Sequence, residues 1–107
     1  TGSGGGAEGV VLSFRHLRID IDARQVTVDD QPIELTAIEF DLLRVLAENH
    51  GRVLTREQLL EKVWGGAYFG EMRVVDVHLG HVRQKLGNDE FITTVRGVGY
   101  RFDDEPL

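Results

Sequence analysis

Residues 10–35 include a region in which apolar and polar residues alternate, the pattern of half-buried β-strands. Residues 17–22 alternate strictly, and β-prone runs lie on either side of them at residues 10–14 and 25–28. A fourth run, residues 31–35, contains Pro32 and so favours an edge strand, because proline cannot donate to a sheet ladder. Short gaps separate the four runs, and we predict a four-stranded antiparallel meander.

After residue 35 the apolar residues recur at the three- and four-residue spacing of an α-helix. Residues 36–39 form a capping-box motif, in which Thr36 caps the helix start and Glu39 reaches back to the cap. The first helix is expected to run to about Asn49, before a glycine that stops it. A second capping box occupies residues 55–58 and predicts a shorter second helix that ends at a pair of glycines.

A third helix is predicted from about Glu71 to Gly87. Its apolar residues recur at helical spacing and lie on one side: Val75, Leu79, Val82 and Leu86. Residues 91–95 and 100–102 are strand-like and are joined by a turn with two glycines, which predicts a β-hairpin. We expect one hydrophobic core that includes Ile38, Leu42, Leu46, Leu59, Trp64, Val75, Leu79, Val82 and Tyr100.

The side of the third helix opposite its apolar stripe has an unusual composition for a solvent-exposed face. It carries Arg73, Val77, Gly80, His81 and Gln84, with His78 and Lys85 on one edge and Arg83 on the other. Asp76 is the only acidic residue between positions 74 and 88, and we expect it to be an ion-pair partner near the helix start. Cations at the edges suit phosphates and the centre suits base edges, so the pattern favours a DNA-contacting face.

The charge of the whole chain, −6, argues against a nucleic-acid partner, but the charge is unevenly distributed. Residues 1–50 hold nine acidic and four basic residues, a balance of −5. Residues 51–102 hold six acidic and eight basic residues, a balance of +2. Because salt screens charges beyond about 8 Å, a basic C-terminal face on an acidic body can still bind DNA.

Sequence motifs of enzymes and metal sites are missing or incomplete. The chain has no cysteine, which excludes disulfides, thiol catalysis and thiolate zinc sites. The Gly-Val-Gly of residues 97–99 lies between two strands and is not a dinucleotide-binding fingerprint. His78 and His81 are three residues apart on a helix and could share a metal ion, but we expect no carboxylate ligand on their arc. We therefore predict no metal site, no cofactor and no enzymatic activity.

Four segments resemble, in order and spacing, the OmpR/PhoB family of response-regulator effector domains. Residues 36–43 resemble the family's first helix and residues 54–65 its second helix. Residues 74–86 are similar to its recognition helix and residues 94–102 to its wing. The resemblance extends over residues 10–102, nearly all of the predicted folded region.

This resemblance implies an α+β fold, a winged helix-turn-helix with an N-terminal four-stranded antiparallel sheet, three helices and a C-terminal β-hairpin wing. Residues 10–103 would form the domain, residues 1–9 a flexible linker or tag remnant, and residues 104–107 a C-terminal tail. The implied function is sequence-specific binding of double-stranded DNA in transcription regulation, as the output domain of a two-component response regulator in the cytoplasm. The recognition helix would enter the major groove and the wing the minor groove.

Several residues match positions that contact DNA in the family. Arg73, His78 and Arg83 match phosphate-backbone positions, Val77 and His81 match base-facing positions, and Thr94 and Arg96 match wing positions near the minor groove. Gln84 joins them because it lies on the exposed side of the predicted helix. The chain departs from the family at Gly80 and His81, where arginine is common.

The resemblance also implies partners. The loop of residues 65–70 corresponds to the family's contact with RNA polymerase, through Gly66, Ala67, Tyr68, Phe69 and Gly70. A receiver domain, itself controlled by a histidine kinase, normally accompanies this domain and is not present in the 107 residues. We expect a monomer in solution, a tandem dimer on DNA and no membrane association. A protein-binding module that has lost strong DNA binding stays open, because the net charge and Gly80 favour it.

Overall fold

The computed structural model describes residues 10–65, 70–87 and 89–107. Its elements are β1 (Val11–Ser13), β2 (Leu17–Asp20), β3 (Gln25–Val28), β4 (Gln31–Ile33), α1 (Ala37–Glu48), β5 (Val53–Thr55), α2 (Arg56–Trp64), α3 (Arg73–Leu86), β6 (Ile92–Val95) and β7 (Gly99–Phe102). A 3₁₀ turn, Asp89–Phe91, precedes β6. The predicted α+β winged helix-turn-helix fold is confirmed.

The first sheet is the predicted meander, with antiparallel strands in the order β1-β2-β3-β4. Ile19 pairs with Val26, and Val26 pairs with Ile33, so these three side chains lie in one row across the sheet. Ile19 and Val26 are fully buried while Arg18, between buried neighbours on β2, is exposed. The alternation read from the sequence therefore decides which face of this sheet packs on the core.

The second sheet has three strands in the order β5-β7-β6, not the two of the predicted hairpin. The wing, which we define as β6, β7 and their turn, pairs with β5 through the register of Leu54 opposite Tyr100. β5 has only three residues, and its last residue, Thr55, is also the N-cap of α2. No period of two can be recognised over so short a run, so the sequence pattern does not reveal this strand.

Both predicted capping boxes form. The hydroxyl of Thr36 accepts a hydrogen bond from the Glu39 backbone N–H at 3.2 Å, and the Glu39 carboxylate accepts one from the Thr36 backbone N–H at 3.0 Å. Thr55 and Gln58 exchange the same pair of bonds at 3.0 Å and 2.9 Å. Each box satisfies two backbone donors that a helix start would otherwise leave unpaired, which fixes where α1 and α2 begin.

One hydrophobic core joins the two sheets and the three helices. Of the nine predicted core residues, all are buried except Ile38 and Trp64, which are partly buried and pack against it. The side chains with under 2% exposure include Ile19, Phe40, Leu42, Leu46, Leu59, Leu79, Ile92 and Phe102. They come from both sheets and all three helices, so the position of α3 depends on every layer of the domain.

The last residues of the chain are hydrogen-bonded to the first sheet. The carboxylate of Asp104, 7% exposed, accepts bonds from the backbone N–H groups of His16 at 2.8 Å and Leu17 at 3.0 Å. The Leu107 N–H donates to the Ser13 carbonyl at 3.1 Å. Residues 104–107, which the sequence pattern separates as a tail, thus connect the strand end of the wing to the first sheet.

A second carboxylate, that of Asp103, is held by the wing. Arg101 donates to its two oxygens at 2.6 Å and 3.1 Å, and the Thr93 hydroxyl donates to it from the neighbouring strand. The Arg101 guanidinium lowers the pKa of Asp103 below its ordinary value of 3.8; burial opposes this and the Thr93 bond reinforces it. Asp103 is therefore ionised in the folded protein at any pH near neutrality.

We expect Asp103→Asn to destabilise the domain at neutral pH, and the difference from wild type to shrink on acidification. A carboxyl whose pKa is lower in the folded state stabilises it above the unfolded pKa, about 3.9, and this contribution is lost as the pH falls through the folded value. Urea unfolding between neutral pH and about pH 3 measures the difference. Asp22→Asn, at an exposed turn position, is the control and should run parallel to wild type. A pH-independent difference for Asp103→Asn contradicts the expectation.

Candidate nucleic-acid interface

The rotation of α3 about its axis agrees with its apolar stripe. Val75, Leu79, Val82 and Leu86 are all buried, with exposures between 0% and 4%. The opposite side, which we call the exposed face of α3, consists of Arg73, Val77, Gly80, His81 and Gln84. Val77 is 50% exposed near the middle of this face. The sequence therefore predicted correctly which side of α3 is open to a partner.

Asp76 fixes α3 against the start of α2 and the middle of the second sheet. Its carboxylate accepts a hydrogen bond from Arg56 Nε at 2.8 Å and another from the Tyr100 hydroxyl. Burial raises the pKa of the Asp76 carboxyl, but the bonds from Tyr100 and Arg56 outweigh burial and bring the pKa below 3.8. The expected role of Asp76 as an ion-pair partner is confirmed. Its bonds to Arg56 and Tyr100 hold α3 in place and so set the direction in which the exposed face points.

Arg83 lies on the edge of α3 that faces the wing. Its Nε and Nη2 donate to the Ile92 carbonyl at 3.1 Å and 2.6 Å, and Nη2 also donates to the Thr94 hydroxyl at 2.7 Å. The guanidinium carbon lies 5.5 Å from the centre of the Tyr100 ring. Two predicted contact residues, Arg83 and Thr94, are thereby brought together, and Arg83 ties α3 to β6. Nη1 takes part in none of these bonds.

The wing runs beside α3. Its tip residues Gly97 and Val98 line a shallow groove together with Met72, which precedes α3, and with Arg56 at the start of α2. The turn uses Gly97 in a left-handed conformation with φ of 76°, and the neighbouring Arg96 is exposed. The N-cap of α3, the wing tip and the start of α2 thus border one groove.

Two exposed arginines, one at the start of α3 and one in the turn of the wing, lack a direct ion pair within the described ranges. Arg73, at the start of the exposed face of α3, and Arg96, at the wing tip, form no ion pair with any residue that the structure describes. Many of the other arginines are neutralised locally, as Arg24 is by Asp41 at 3.0 Å. Arg73 and Arg96 therefore place positive charge, without a direct ion pair to a described residue, on α3 and on the wing.

The other edge of α3 faces α1 and is neutralised by a buried glutamate. Glu39, with 4% side-chain exposure, accepts a bond from Lys85 Nζ at 2.7 Å and lies 3.7 Å from Nδ1 of His81. Burial raises the pKa of Glu39, but the bonds from Lys85 and Thr36 outweigh it and lower the pKa below 4.5. The sequence pattern shows Glu39 only as a cap, because its partners lie more than 40 residues away.

His78 also lies on this edge. Its ring packs against Trp64 with centroids 5.8 Å apart, and its Nδ1 is buried with no hydrogen-bond partner within residues 10–65, 70–87 and 89–107. One ligand atom each of Glu39, His78 and His81 lies within 4.8 Å of the other two. The expectation concerned carboxylates on the arc of α3 that carries the two histidines; the carboxylate beside them comes from α1.

The loop between α2 and α3 is described only at its ends. Gly65 caps α2 with φ of 88°, and Gly70 is exposed before α3. The predicted polymerase-contact residues Gly66, Ala67, Tyr68 and Phe69 lie outside the described residues. Of the helices in the described ranges, none is long and apolar enough to cross a membrane.

Comparisons with known proteins identify the family. Residues 30–102 match the family described as transcriptional regulatory protein, C terminal. The chain is 42% identical over 102 residues to the sensory transduction protein RegX3 of Mycolicibacterium smegmatis, covering 92% of this chain and 45% of RegX3. The chain spans less than half the length of the curated relatives that it matches.

Solved structures agree on the fold. The response regulator DrrB, an OmpR/PhoB homologue from Thermotoga maritima, superimposes with a TM-score of 0.79 at 37% identity, over 87% of this chain and 44% of DrrB. The RstA DNA-binding domain of Klebsiella pneumoniae, solved in complex with the RstA box, gives 0.79 at 36% identity, over 87% of this chain and 96% of that one. The matched family is one of transcription regulators and not a class of enzymes. The chain belongs to this family, as a C-terminal winged-helix domain of the OmpR/PhoB type of response regulator.

Proposed function

We propose that the chain binds double-stranded DNA in a sequence-dependent manner and regulates transcription as the output domain of a response regulator. The observation that carries the proposal is that α3 and the wing each carry an exposed arginine, Arg73 and Arg96, that forms no ion pair with a described residue. An α-helix fits the width of the major groove, and a turn with a glycine and an arginine fits the minor groove. The RstA domain, similar over nearly all of its length, was solved with its DNA box.

We assign base reading to the centre of the exposed face of α3. A glutamine can bond bidentately to adenine, and a valine methyl can contact the thymine methyl group, so Gln84 and Val77 are the proposed base readers. Arg73 is the proposed phosphate contact. His78 and His81 lie toward α1 and Glu39, so we assign them to the margin of the interface.

Arg83 has a double role in this proposal. Its bonds to Ile92 and Thr94 hold the wing beside α3, and only Nη1 is left to approach a phosphate. We propose that Thr94 and Arg96 of the wing enter the minor groove, where a narrow A·T-rich tract has the most negative potential. Because Arg83→Ala would disturb the wing as well as a phosphate contact, Arg73 is the cleaner reporter of phosphate binding.

The test is fluorescence anisotropy with a duplex selected from a random pool, prepared with A·T-rich or with G·C-rich flanks. Arg73→Ala is expected to weaken binding to both duplexes equally and to flatten the salt dependence by about one charge. Arg96→Ala is expected to weaken binding more on the A·T-rich flanks. Arg18→Ala removes an exposed arginine from β2 and is the matched control, with little effect expected.

Other outcomes would contradict parts of the proposal. If Arg96→Ala loses the same affinity on both flanks, the wing contacts phosphates and not the minor groove. If Arg18→Ala weakens binding as much as Arg73→Ala, attraction depends on overall charge and α3 is not the interface. If no duplex is enriched and binding does not respond to salt, the protein-binding alternative on the acidic first sheet replaces DNA binding.

The proposed partners follow from the same family membership. We propose a monomer in solution that binds tandem half-sites, with residues 65–70 contacting RNA polymerase. We also propose a cytoplasmic location and control by a receiver domain and its histidine kinase, supported by the greater length of the relatives.

A further inference from the structure

Three side chains from two helices converge at the edge of α3 that faces α1. His78 and His81 are three residues apart on α3, and Glu39 comes from the first turn of α1. One ligand atom of each lies within 4.8 Å of the other two. Two imidazole nitrogens and one carboxylate oxygen form a donor set that zinc uses when it keeps one coordination position open.

The distance between Glu39 and His81 is close to that between two ligands of one ion. With metal–ligand bonds of about 2.0–2.2 Å in tetrahedral geometry, ligand atoms lie about 3.4 Å apart. Glu39 Oε2 and His81 Nδ1 are already 3.7 Å apart. The His81 side chain is 55% exposed, so its ring has room to turn toward Oε2 without disturbing the core.

The two oxygens of Glu39 have different partners. Oε1 accepts the bonds from the Thr36 N–H and from Lys85 Nζ, which hold the cap and the ion pair. Oε2 faces His81 and takes no part in those bonds. A cation can therefore bind through Oε2 while Oε1 continues to cap α1.

His78 is available as a ligand. Its Nδ1 is buried and, across the described ranges, has no hydrogen-bond partner, so the ring is not committed through that atom to the protein. Either nitrogen of a neutral imidazole can bind a metal ion. The contact with Trp64 limits the ring's motion and holds it beside the other two ligands.

We propose that Glu39, His78 and His81 form a binding site for a divalent transition-metal ion, which would connect α1 to the recognition helix. Imidazole ligands select zinc, cobalt, nickel or copper over magnesium and calcium, which prefer oxygen-only sites. Lys85 Nζ lies 2.7 Å from Oε1 and repels a cation. This repulsion favours ions whose binding free energy comes mostly from the nitrogen ligands.

The test is isothermal titration of the 107-residue chain with zinc chloride, which needs no DNA. One zinc ion per chain is expected, with at least about a tenfold loss of affinity in His81→Ala and in Glu39→Gln. Glu39→Gln keeps the cap, because glutamine also serves in a capping box, and circular dichroism checks that each variant is folded. His50→Ala, an exposed histidine elsewhere, is the matched control and should bind zinc as wild type does.

A cobalt titration measures metal binding a second time, by visible absorption and not by the heat of binding. Cobalt in a site with two nitrogens and one oxygen is expected to give visible absorption bands, lost in His81→Ala and retained in His50→Ala. Magnesium chloride is expected to give no binding at all. The proposal is overturned if zinc affinity is the same in wild type and His81→Ala, if His50→Ala loses affinity equally, or if wild type binds no zinc.

Discussion

Gly99→Ala is expected to destabilise the domain by about 3 kcal/mol, the upper end of the usual cost of overpacking. Gly99 is the first residue of β7 and pairs with Thr55, the last residue of β5. A Cβ at this position would lie 1.9 Å from the Leu54 carbonyl oxygen and 2.8 Å from the Thr55 Cα. These are backbone atoms, so no side-chain rotation can relieve the contact, and β5 must move away from β7.

The displacement would reach beyond the sheet. Thr55 is also the N-cap of α2, so a shift of β5 disturbs the capping box at the same time. Urea unfolding measures the loss, and two further glycines provide matched substitutions of the same size. Gly80→Ala, in the middle of α3 with open space around it, should stabilise by up to about 1 kcal/mol because alanine is the better helix former.

The third substitution, Gly97→Ala, tests backbone strain without a steric clash. Gly97 has φ of 76° and nothing within 4 Å of a Cβ. Gly97→Ala should therefore cost only about 1–2 kcal/mol, the strain of a left-handed conformation. A Gly99→Ala variant no less stable than Gly97→Ala would mean that β5 and β7 do not approach as closely as the structure has them.

These glycines differ in how much of their structural role the sequence pattern predicts. Signals that lie within a few residues were sufficient for the elements: Thr36 with Glu39 located the start of α1, and the spacing from Val75 to Leu86 fixed the rotation of α3. A glycine in a turn is equally visible in the sequence. That Gly99 meets a third strand was not visible, because β5 lies more than 40 positions earlier and is three residues long.

The same limit applies to the candidate site. Arg83 was expected to reach a phosphate because of its angle from the apolar stripe, which is a local property of the helix. Its bonds to the wing depend on where β6 packs, and the pair of Glu39 with Lys85 spans 46 positions. Glu39 has a local role, as a cap, and a distant role, as the partner of Lys85. For such a residue the sequence pattern predicts the local role and not the distant one.

Val77→Glu is expected to reduce affinity for the selected duplex at least about 100-fold, equivalent to about 2.7 kcal/mol. Val77 is 50% exposed in the middle of the exposed face of α3, where the proposal places base edges. A carboxylate there would meet the acceptor atoms of purines and the nearby phosphates, and it could accept a bond only from the amino group of a cytosine or an adenine. Stability should change by no more than about 0.5 kcal/mol, because the site is exposed and an acid in the first half of a helix is well tolerated.

The matched control for this prediction is Gln31→Glu, which adds the same charge at an exposed position on β4. Its expected loss of affinity is under about threefold, since salt screens a charge that is not at the interface. Anisotropy with the same duplex and urea unfolding of both variants separate binding from stability. Equal losses in the two variants would attribute the effect to net charge, and unchanged affinity in Val77→Glu would mean that DNA does not contact the exposed face of α3. A large loss confined to Val77→Glu, with stability unchanged, is what a recognition helix in the major groove requires.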